Sequence, residues 1–412
     1  MKKKTIVAQM ESTAVCYETL ESFARLEIQR WLQNLLEAEV TEFLGRGRHE
    51  RGARSGYRNG YGKPRRLAMT AGTVTVKRPR LRDVNDAFES KVLPLFKRQS
   101  KELGGLLPEL YLHGLSSGDF ELALRGLLGD AAPLSASSLM RLKARWMSEY
   151  ARWRKTNLSA LELVYAWADG LYVKCGFDDR TKALLVIVGA LSNGDKVLLA
   201  CESGERESKS AWSAILRDLK TRGLKLPACL VADGHLGIWG ALGEQHPEGA
   251  EQRCWNHKIV NVLDHFAKKD QPEAAAALKK MMYAPTHQRC ERARQAFALR
   301  YRKTHPKAVA TLERDWGRMV TYYDFPKAHW IHLRTTNIVE SPFNSVRLRT
   351  EASRRYKKVE NAEAMVWKLL TVAEKSWRKL NAPNLLKAVY DGSRFKDGVA
   401  VKMRVEGTRI AA

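Results

Sequence analysis

LELVYAWADG, residues 161–170, is the stretch on which the fold turns. Leu161, Leu163 and Tyr165 alternate with Glu162, Val164 and Ala166, so one face is bulky throughout. The pattern predicts a mostly buried central strand of the usual ~4–8 residues. The strand ends on a single carboxylate, Asp169. Such a group is costly to bury unless something pairs with it. A bound metal ion is one such partner, which makes Asp169 the first candidate ligand.

Downstream, further strands are expected over 171–177, 183–191 and 196–201. Asp178-Asp179 and Asn193-Gly194 supply the turns between them, Asn-Gly being a strong hairpin signal. A helix over 208–222 follows, with Trp212, Ile215 and Leu219 on one side and Gly223 just past its end. Residues 229–233, CLVAD, form another short apolar strand ending on an Asp, and a helix starts near Leu236. The order is β-β-β-β-α-β-α. Three meandering strands and a helical crossover to a parallel strand is how an RNase H-like sheet is threaded, although periodicity alone gives only a mixed α/β sheet. Residues 254–332 read as helical throughout. A last long helix is expected over 360–380, and then a short, basic, loosely held tail.

Upstream, residues 13–45 predict a helix with Leu20, Ala24, Ile28, Trp31 and Leu35 as its apolar stripe. Residues 46–82 are rich in glycine and arginine, with twelve Lys or Arg against one Glu. Arg54, Tyr57 and Arg58 stand out, because mobile cations meet phosphates and tyrosines stack on bases. A β-prone run, 72–77, lies inside this segment. Residues 105–150 suggest paired helices, with Ser116 or Ser117 capping the first and 129–133 as the turn. The second would bury Leu139, Leu142, Trp146 and Tyr150. Arg141 and Arg145 lie off that face, as in a helix-turn-helix whose second helix enters a major groove; two ordinary packed helices fit the pattern as well.

The chain has 412 residues, room for two or three domains, and carries a formal charge of +26. That excess favours a polyanionic partner, nucleic acid first. None of the six cysteines forms a C-x-x-C pair, which argues against a disulfide framework or a four-cysteine zinc site. The N-terminal MKKKTIVAQMES is basic without an apolar core of signal length. The longest apolar run, 183–191, is too short to span a bilayer. A cytoplasmic protein without a membrane partner is the expectation.

If the strands ending on Asp169 and Asp233 are neighbours, the two carboxylates emerge together and can hold a hard divalent cation. A third ligand is then expected. Glu340 is the best candidate, in the first turn of a helix that Asn337 would cap, with Asn344 one turn further on the same face. Arg347, Arg349, Arg354 and Arg355 follow in a basic run suited to DNA phosphates. Cys254 and His257 have C-x-x-H spacing at a helix start. Two such ligands do not make a structural zinc site, and packing or hydrogen bonding beside the active site is expected of them. His235 could touch a phosphate or simply lie on the surface. Trp316 and Trp330 could stack on an unpaired base, though core burial is the commoner fate of tryptophan.

Asp169 in WADGLYVK, Asp233 in LVADG, the run QRCWNH at 252–257 and RTTNIVESPFN at 334–344, together with GYRNGY at 56–61, resemble the Mutator-type bacterial insertion-sequence transposases. The resemblance spans roughly residues 20–380. It implies a DDE transposase with an RNase H-like core, its triad falling on Asp169, Asp233 and Glu340. It implies an all-helical insertion between the second Asp and the Glu; the 106 residues between Asp233 and Glu340 read as helical. It implies an N-terminal third that binds terminal inverted repeats.

The expected organisation is therefore a helical segment (1–45), a basic DNA-contacting segment (46–104) and a helix-turn-helix-like region (105–158). A catalytic core (159–253 and 333–382) follows, interrupted by the helical insertion (254–332) and trailed by a basic tail (383–412). Three carboxylates suit a pair of Mg²⁺ ions, with Mn²⁺ as substitute, for phosphodiester cleavage and strand transfer. The expected partners are double-stranded DNA, as inverted repeats and target, and at least a second copy of the chain on DNA. The competing readings are a non-enzymatic helix-turn-helix regulator, which leaves the three acids without a role, and an RNase H-like nuclease or resolvase without strand transfer.

Overall fold

The computed structural model describes residues 2–52, 55–69, 72–93, 110, 136–176, 180–204, 206–234, 236–353 and 355–401, with side chains of the first helix from residue 23 onward. Arg54, His235, Arg354, the first helix of the expected helix-turn-helix and the Asp178-Asp179 turn lie outside the described residues. The chain divides into two compact units, Met1–Leu142 and Lys143–Ala412. The division falls inside the 105–158 segment.

In the first unit, α1 (Lys2–Leu44) ends where Gly45 takes a positive φ of 61°. Its buried side shares Ile28 with the expected stripe but departs from it at Trp31. Leu36, Val40 and Leu44 are buried and Ile28 and Leu32 pack beside them, while Trp31 is 62% exposed. The partner of that face is a pair of short strands, so the stripe is set by tertiary contact rather than by the bulkiest residues. The basic segment carries four strands: β1 (Tyr57–Tyr61), β2 (Arg65–Met69), β3 (Gly72–Val76) and β4 (Pro79–Arg82). β2 pairs antiparallel with β3, and β1 with β4. Leu67, Val74 and Val76 join Leu36 and Leu93 in one small core.

The second unit opens with the end of α2 (Ala136–Trp153), whose Trp146 and Tyr150 are buried as the periodicity implies. Tyr150 donates to the Cys201 carbonyl at 2.6 Å and packs on Trp367. The sheet is built from β5 (Leu163–Cys175), β6 (Arg180–Leu191), β7 (Lys196–Gly204), β8 (Cys229–Ala232) and β9 (Ala250–Arg253), in the order β7-β6-β5-β8-β9. β5, β6 and β7 meander antiparallel; β8 and β9 run parallel to β5. Crossovers are α3 (Lys209–Thr221), capped by the Ser208 hydroxyl and closed by Gly223, and α4 (Leu236–Gln245).

Three expectations change here. Residues 161–170 and 171–177 are not two strands: β5 runs straight through Asp169, paired to β6 as far as Cys175↔Arg180. What stops beside Asp169 is the parallel ladder, whose last pair is Ala168↔Ala232. Nor is β5 bulky on one face only. Its register shifts between Leu163 and Tyr165, and Val164 to Ala168 are all buried. Third, β9 was not expected, since AEQR is polar.

One sheet face is covered by α3 and α4, with Leu185, Ile187, Trp212, Ile215, Leu219 and Trp239 in a single cluster. Towards the other face, Tyr165 hydrogen-bonds His329 at 2.9 Å and Trp167 donates to the His332 carbonyl at 2.9 Å. The helical stretch comprises α5 (Trp255–Leu263), α6 (Gln271–Met282), α7 (His287–Tyr301), α8 (Pro306–Glu313), α9 (Trp316–Val320) and α10 (Trp330–Leu333). Trp330 is buried, and Trp316 packs on Trp255 while donating to Glu291. α11 (Asn337–Ala352) and α12 (Val359–Glu374) follow; α12 stops six residues short of the expected end. The expected loose tail is folded through residue 400. α13 (Pro383–Tyr390) buries Leu386 and Val389, and the β10 (Phe395–Lys396) and β11 (Val399–Ala400) hairpin bonds Tyr323 and Lys327 through Gly398.

Candidate active site

Asp169 and Asp233 each follow the last residue of the β5–β8 parallel ladder, so the register sets them on neighbouring strands at one level. The face alternation puts Asp169 on the same side as Tyr165 and Trp167, away from α3 and α4, and α11 packs against β5. Its carboxylate accepts from the Gly170 amide at 2.8 Å. Burial pushes its pKa up to about 7, the Gly170 bond opposing and the Glu340 and Glu207 carboxylates adding to the rise, with His257 opposing them. Two carboxylates against one imidazole is an environment short of positive charge, which a divalent cation would satisfy.

Asp233 is placed by its successors. Gly234 has φ of +109°, and a Cβ there would run into the Arg253 guanidinium. Arg253 is itself buried and donates to the Asp233 carbonyl at 3.2 Å and to Asp315 at 2.8 Å. Asp315, in a left-handed conformation, also pairs with Arg318 at 3.2 Å. The backbone after Asp233 is thus clamped from two strands and the helical region.

Glu340 stands in the first turn of α11. The cap is Thr336, not Asn337, which is the first helical residue and accepts from Asn256 at 3.3 Å. The Thr336 hydroxyl bonds the Glu340 carboxylate rather than a helix amide. His257 Nδ1 lies 3.8 Å from Glu340. Cys254, directly after β9, caps α5, and its amide is bonded to the Ala232 carbonyl at 2.8 Å, so α5 starts beside the end of β8. The Cys254 sulfur raises the pKa of His257 most; burial opposes, Asp233 and Glu340 add, and it reaches about 9. The donor atoms of Cys254, His257 and Glu340 all lie within 4.8 Å of one another; Asp169 and Asp233 are not in that set.

A fourth acid, Glu207, has no counterpart in the sequence reading. It accepts from Tyr172 Oη at 2.9 Å, and a Cβ on Gly170 would come within 2.5 Å of its carboxylate. Burial, then Glu207, lifts the Tyr172 pKa to about 12. The signal that could have found it is its place directly before the Ser208 cap, at the end of the meander.

The basic candidates sort differently. Arg349 is buried, so its guanidinium does not face a phosphate. Arg58 is held by Glu37 at 3.0 Å and Thr41 at 2.8 Å and ties β1 to α1. A guanidinium is satisfied by whichever acid lies nearest, and sequence does not disclose that. Tyr57 is 58% exposed with Arg46 and Arg82 over its ring. Arg141, Arg145, Asn344, Arg347 and Arg355 are exposed. Among the described residues no helix is long and apolar enough to cross a membrane.

The family model described as "Transposase, Mutator family" matches residues 1–380. The chain is 42% identical over 293 residues to the transposase for insertion sequence element IS6120 of Mycolicibacterium smegmatis, covering 71% of this chain and 91% of that one. It is 40% identical over 284 residues to the transposase for insertion sequence element IST2 of Acidithiobacillus ferrooxidans, covering 68% and 96%. A solved structure, the Drosophila P element transposase strand transfer complex, aligns over 72% of this chain and 86% of its own at 12% identity and a TM-score of 0.31.

Proposed function

The chain belongs to the Mutator family of transposases, and from that premise we propose that it moves an insertion sequence: it binds the terminal inverted repeats, cleaves at their ends and joins the 3′-ends to target DNA. The observation that carries this reading is the parallel register of β5 and β8, which sets Asp169 beside Asp233, with Glu340 close enough to raise the Asp169 pKa. The meander followed by two parallel strands is the threading of an RNase H-like core, and residues 254–332 are its helical insertion.

In this reading Asp169, Asp233 and Glu340 hold the divalent cation, Mg²⁺ or Mn²⁺, through oxygen ligands. When bound, it supplies a Lewis acid at the phosphodiester and lowers the pKa of an attacking water or 3′-hydroxyl. The protein's own part is positional. Arg253 fixes the backbone of Asp233, Thr336 aims Glu340, and the buried sheet excludes bulk water from one side of Asp169. His257, cationic at neutral pH, balances part of the acidic charge. Residues 1–142, with their exposed cations, are assigned to the inverted repeats, and Arg347 and Arg355 to phosphates beside the site. Two ends must be brought together, so the active form is at least a homodimer on DNA, in the bacterial cytoplasm.

The test is a labelled inverted-repeat end incubated with Mg²⁺ or Mn²⁺. Cleavage plus joining is the expected result. Cleavage alone would make the chain a nuclease, and binding alone, unchanged in Asp169→Asn, a regulator.

A further inference from the structure

Cys254, His257 and Glu340 are more than neighbours of the proposed hard-cation site. Cys254, the N-cap of α5, and His257, in its first turn, are three residues apart at the same helix end. Glu340 reaches them from the first turn of α11. Sulfur, imidazole nitrogen and carboxylate oxygen lie within 4.8 Å of one another, so a side-chain closure of about an ångström brings them to the roughly 3.5 Å spacing of donors around one tetrahedral ion. His257 Nδ1 is buried and makes no hydrogen bond. The sulfur, on a wholly buried residue, receives the Thr336 amide at 3.4 Å and the Thr336 hydroxyl at 3.2 Å. That hydroxyl has one proton and two acceptors, the sulfur and Glu340. With the amide on the sulfur and the hydroxyl on the carboxylate, Thr336 would support both donors from behind, as outer partners do at metal centres.

We propose that Cys254, His257 and Glu340 form a site for a borderline transition-metal ion of the Zn²⁺ class, and that filling it inhibits the enzyme by withdrawing Glu340 from the aspartates. Sulfur and imidazole select against Mg²⁺, which takes oxygen ligands. Three protein donors leave a fourth position open to water. Binding releases the thiol proton and the proton on Nδ1 to solvent, and no electron moves. The inhibitory half rests on the proposed role of Glu340; the binding half does not.

The experiment uses the full chain, stripped with chelator and titrated with Co²⁺ under reducing conditions. One equivalent is expected to give intense tetrahedral ligand-field bands and a thiolate-to-cobalt charge-transfer band, both removed by added Zn²⁺. Cys254→Ser is expected to lose the charge-transfer band, His257→Gln to bind at least tenfold more weakly, and Asp169→Asn to keep both signals. Circular dichroism and melting check that each variant is folded. Weak octahedral absorption in the wild type, or an unchanged charge-transfer band in Cys254→Ser, overturns the site. In Mg²⁺-driven cleavage, Zn²⁺ is expected to inhibit the wild type at least tenfold more effectively than Cys254→Ser, each against its own uninhibited rate. Equal sensitivity overturns the inhibition. Bands without cleavage under any condition would leave the site standing and remove the transposase reading; cleavage without bands would do the reverse.

Discussion

The two units stabilise their elements by different means. In Lys143–Ala412 the sheet is buried on both faces, and the proposed catalytic acids stand on β5 (Asp169), directly after the fully buried β8 (Asp233) and in the first turn of α11 (Glu340). In Met1–Leu142 a core of Leu36, Leu67, Val74, Val76 and Leu93 backs the β2–β3 hairpin, and Lys63, Arg66, Lys77, Arg80 and Arg82 are exposed on or beside the strands. Chemistry on a phosphodiester needs acids fixed to a fraction of an ångström, which deep packing supplies. Holding a polyanion needs many charges near a surface, each of small individual weight. Under the proposed function, one unit would concentrate its role in a few side chains and the other would spread it over many.

The strongest way to break that contrast is to remove one acid. Asp169→Asn, Asp233→Asn or Glu340→Gln should lower end cleavage on the order of 10⁴-fold, about 5–6 kcal/mol of barrier. Binding of the same DNA end, followed by mobility shift or anisotropy, should change by no more than about twofold. Parallel loss of binding and cleavage would mean that the acids are structural.

The next test compares the cores. Trp212 is fully buried between the sheet and its helices, so Trp212→Ala should cost about 3–5 kcal/mol in chemical denaturation. Leu67, at the edge of the small core, should cost about 2 kcal/mol when truncated to Ala. Costs in the opposite order would overturn the ranking of the two cores.

What sequence could show was decided by how local each signal is, not by the unit it lies in. The strands carrying Asp169 and Asp233, the Asn193-Gly194 turn and the Ser208–Gly223 helix were legible because apolar runs and turn residues are local signals. β9 was not. Its buried Gln252 donates to the adjacent Arg253 carbonyl and is otherwise satisfied at long range, donating to the Met319 carbonyl and accepting from the Tyr322 amide at 2.8 Å. A polar strand made tolerable by partners 67 and 70 residues away leaves no periodic trace. The fates of Arg58 and Arg349 were hidden for a related reason: composition counts cations without saying which are already paired or buried. Glu207 had only its place before the Ser208 cap to mark it, because its neighbours Gly170 and Tyr172 meet it only in the folded sheet.

A smaller effect comes from the cost of holding Asp169 without a cation. Its folded pKa, about 7, lies above the usual carboxylate value because of burial. The folded state therefore favours the protonated acid: this stabilising contribution is complete below the unfolded pKa near 4 and is lost as pH rises through about 7. Metal-free Asp169→Asn should be more stable than the wild type at pH 8, on the order of 1–3 kcal/mol after allowing for partial exposure, with the gain gone by about pH 4. Melting curves across that range check it. Adding Mg²⁺ should narrow the gap by stabilising the wild type alone. A variant that is less stable at pH 8 would show that Asp169 already has a cationic partner within the chain.

The smallest expected effects belong to the surface cations, and they sharpen the comparison because they should be additive. Lys77 and Arg80 are exposed, one just after β3 and one in β4. If each meets one phosphate, Lys77→Ala and Arg80→Ala should each flatten the plot of log affinity against log salt by about 0.9, with little change in the preference between specific and unrelated ends. Arg58→Ala is the control. Its charge is taken by Glu37, so its loss should leave the salt slope unchanged and appear instead as a modest loss of stability where β1 meets α1. The double variant of Lys77 and Arg80 should show the sum of the single slopes, since exposed sites that share no partner act independently. A slope change in Arg58→Ala equal to theirs would mean that the Glu37 pair opens on DNA. The first unit would then switch partners rather than present a ready-made cationic surface.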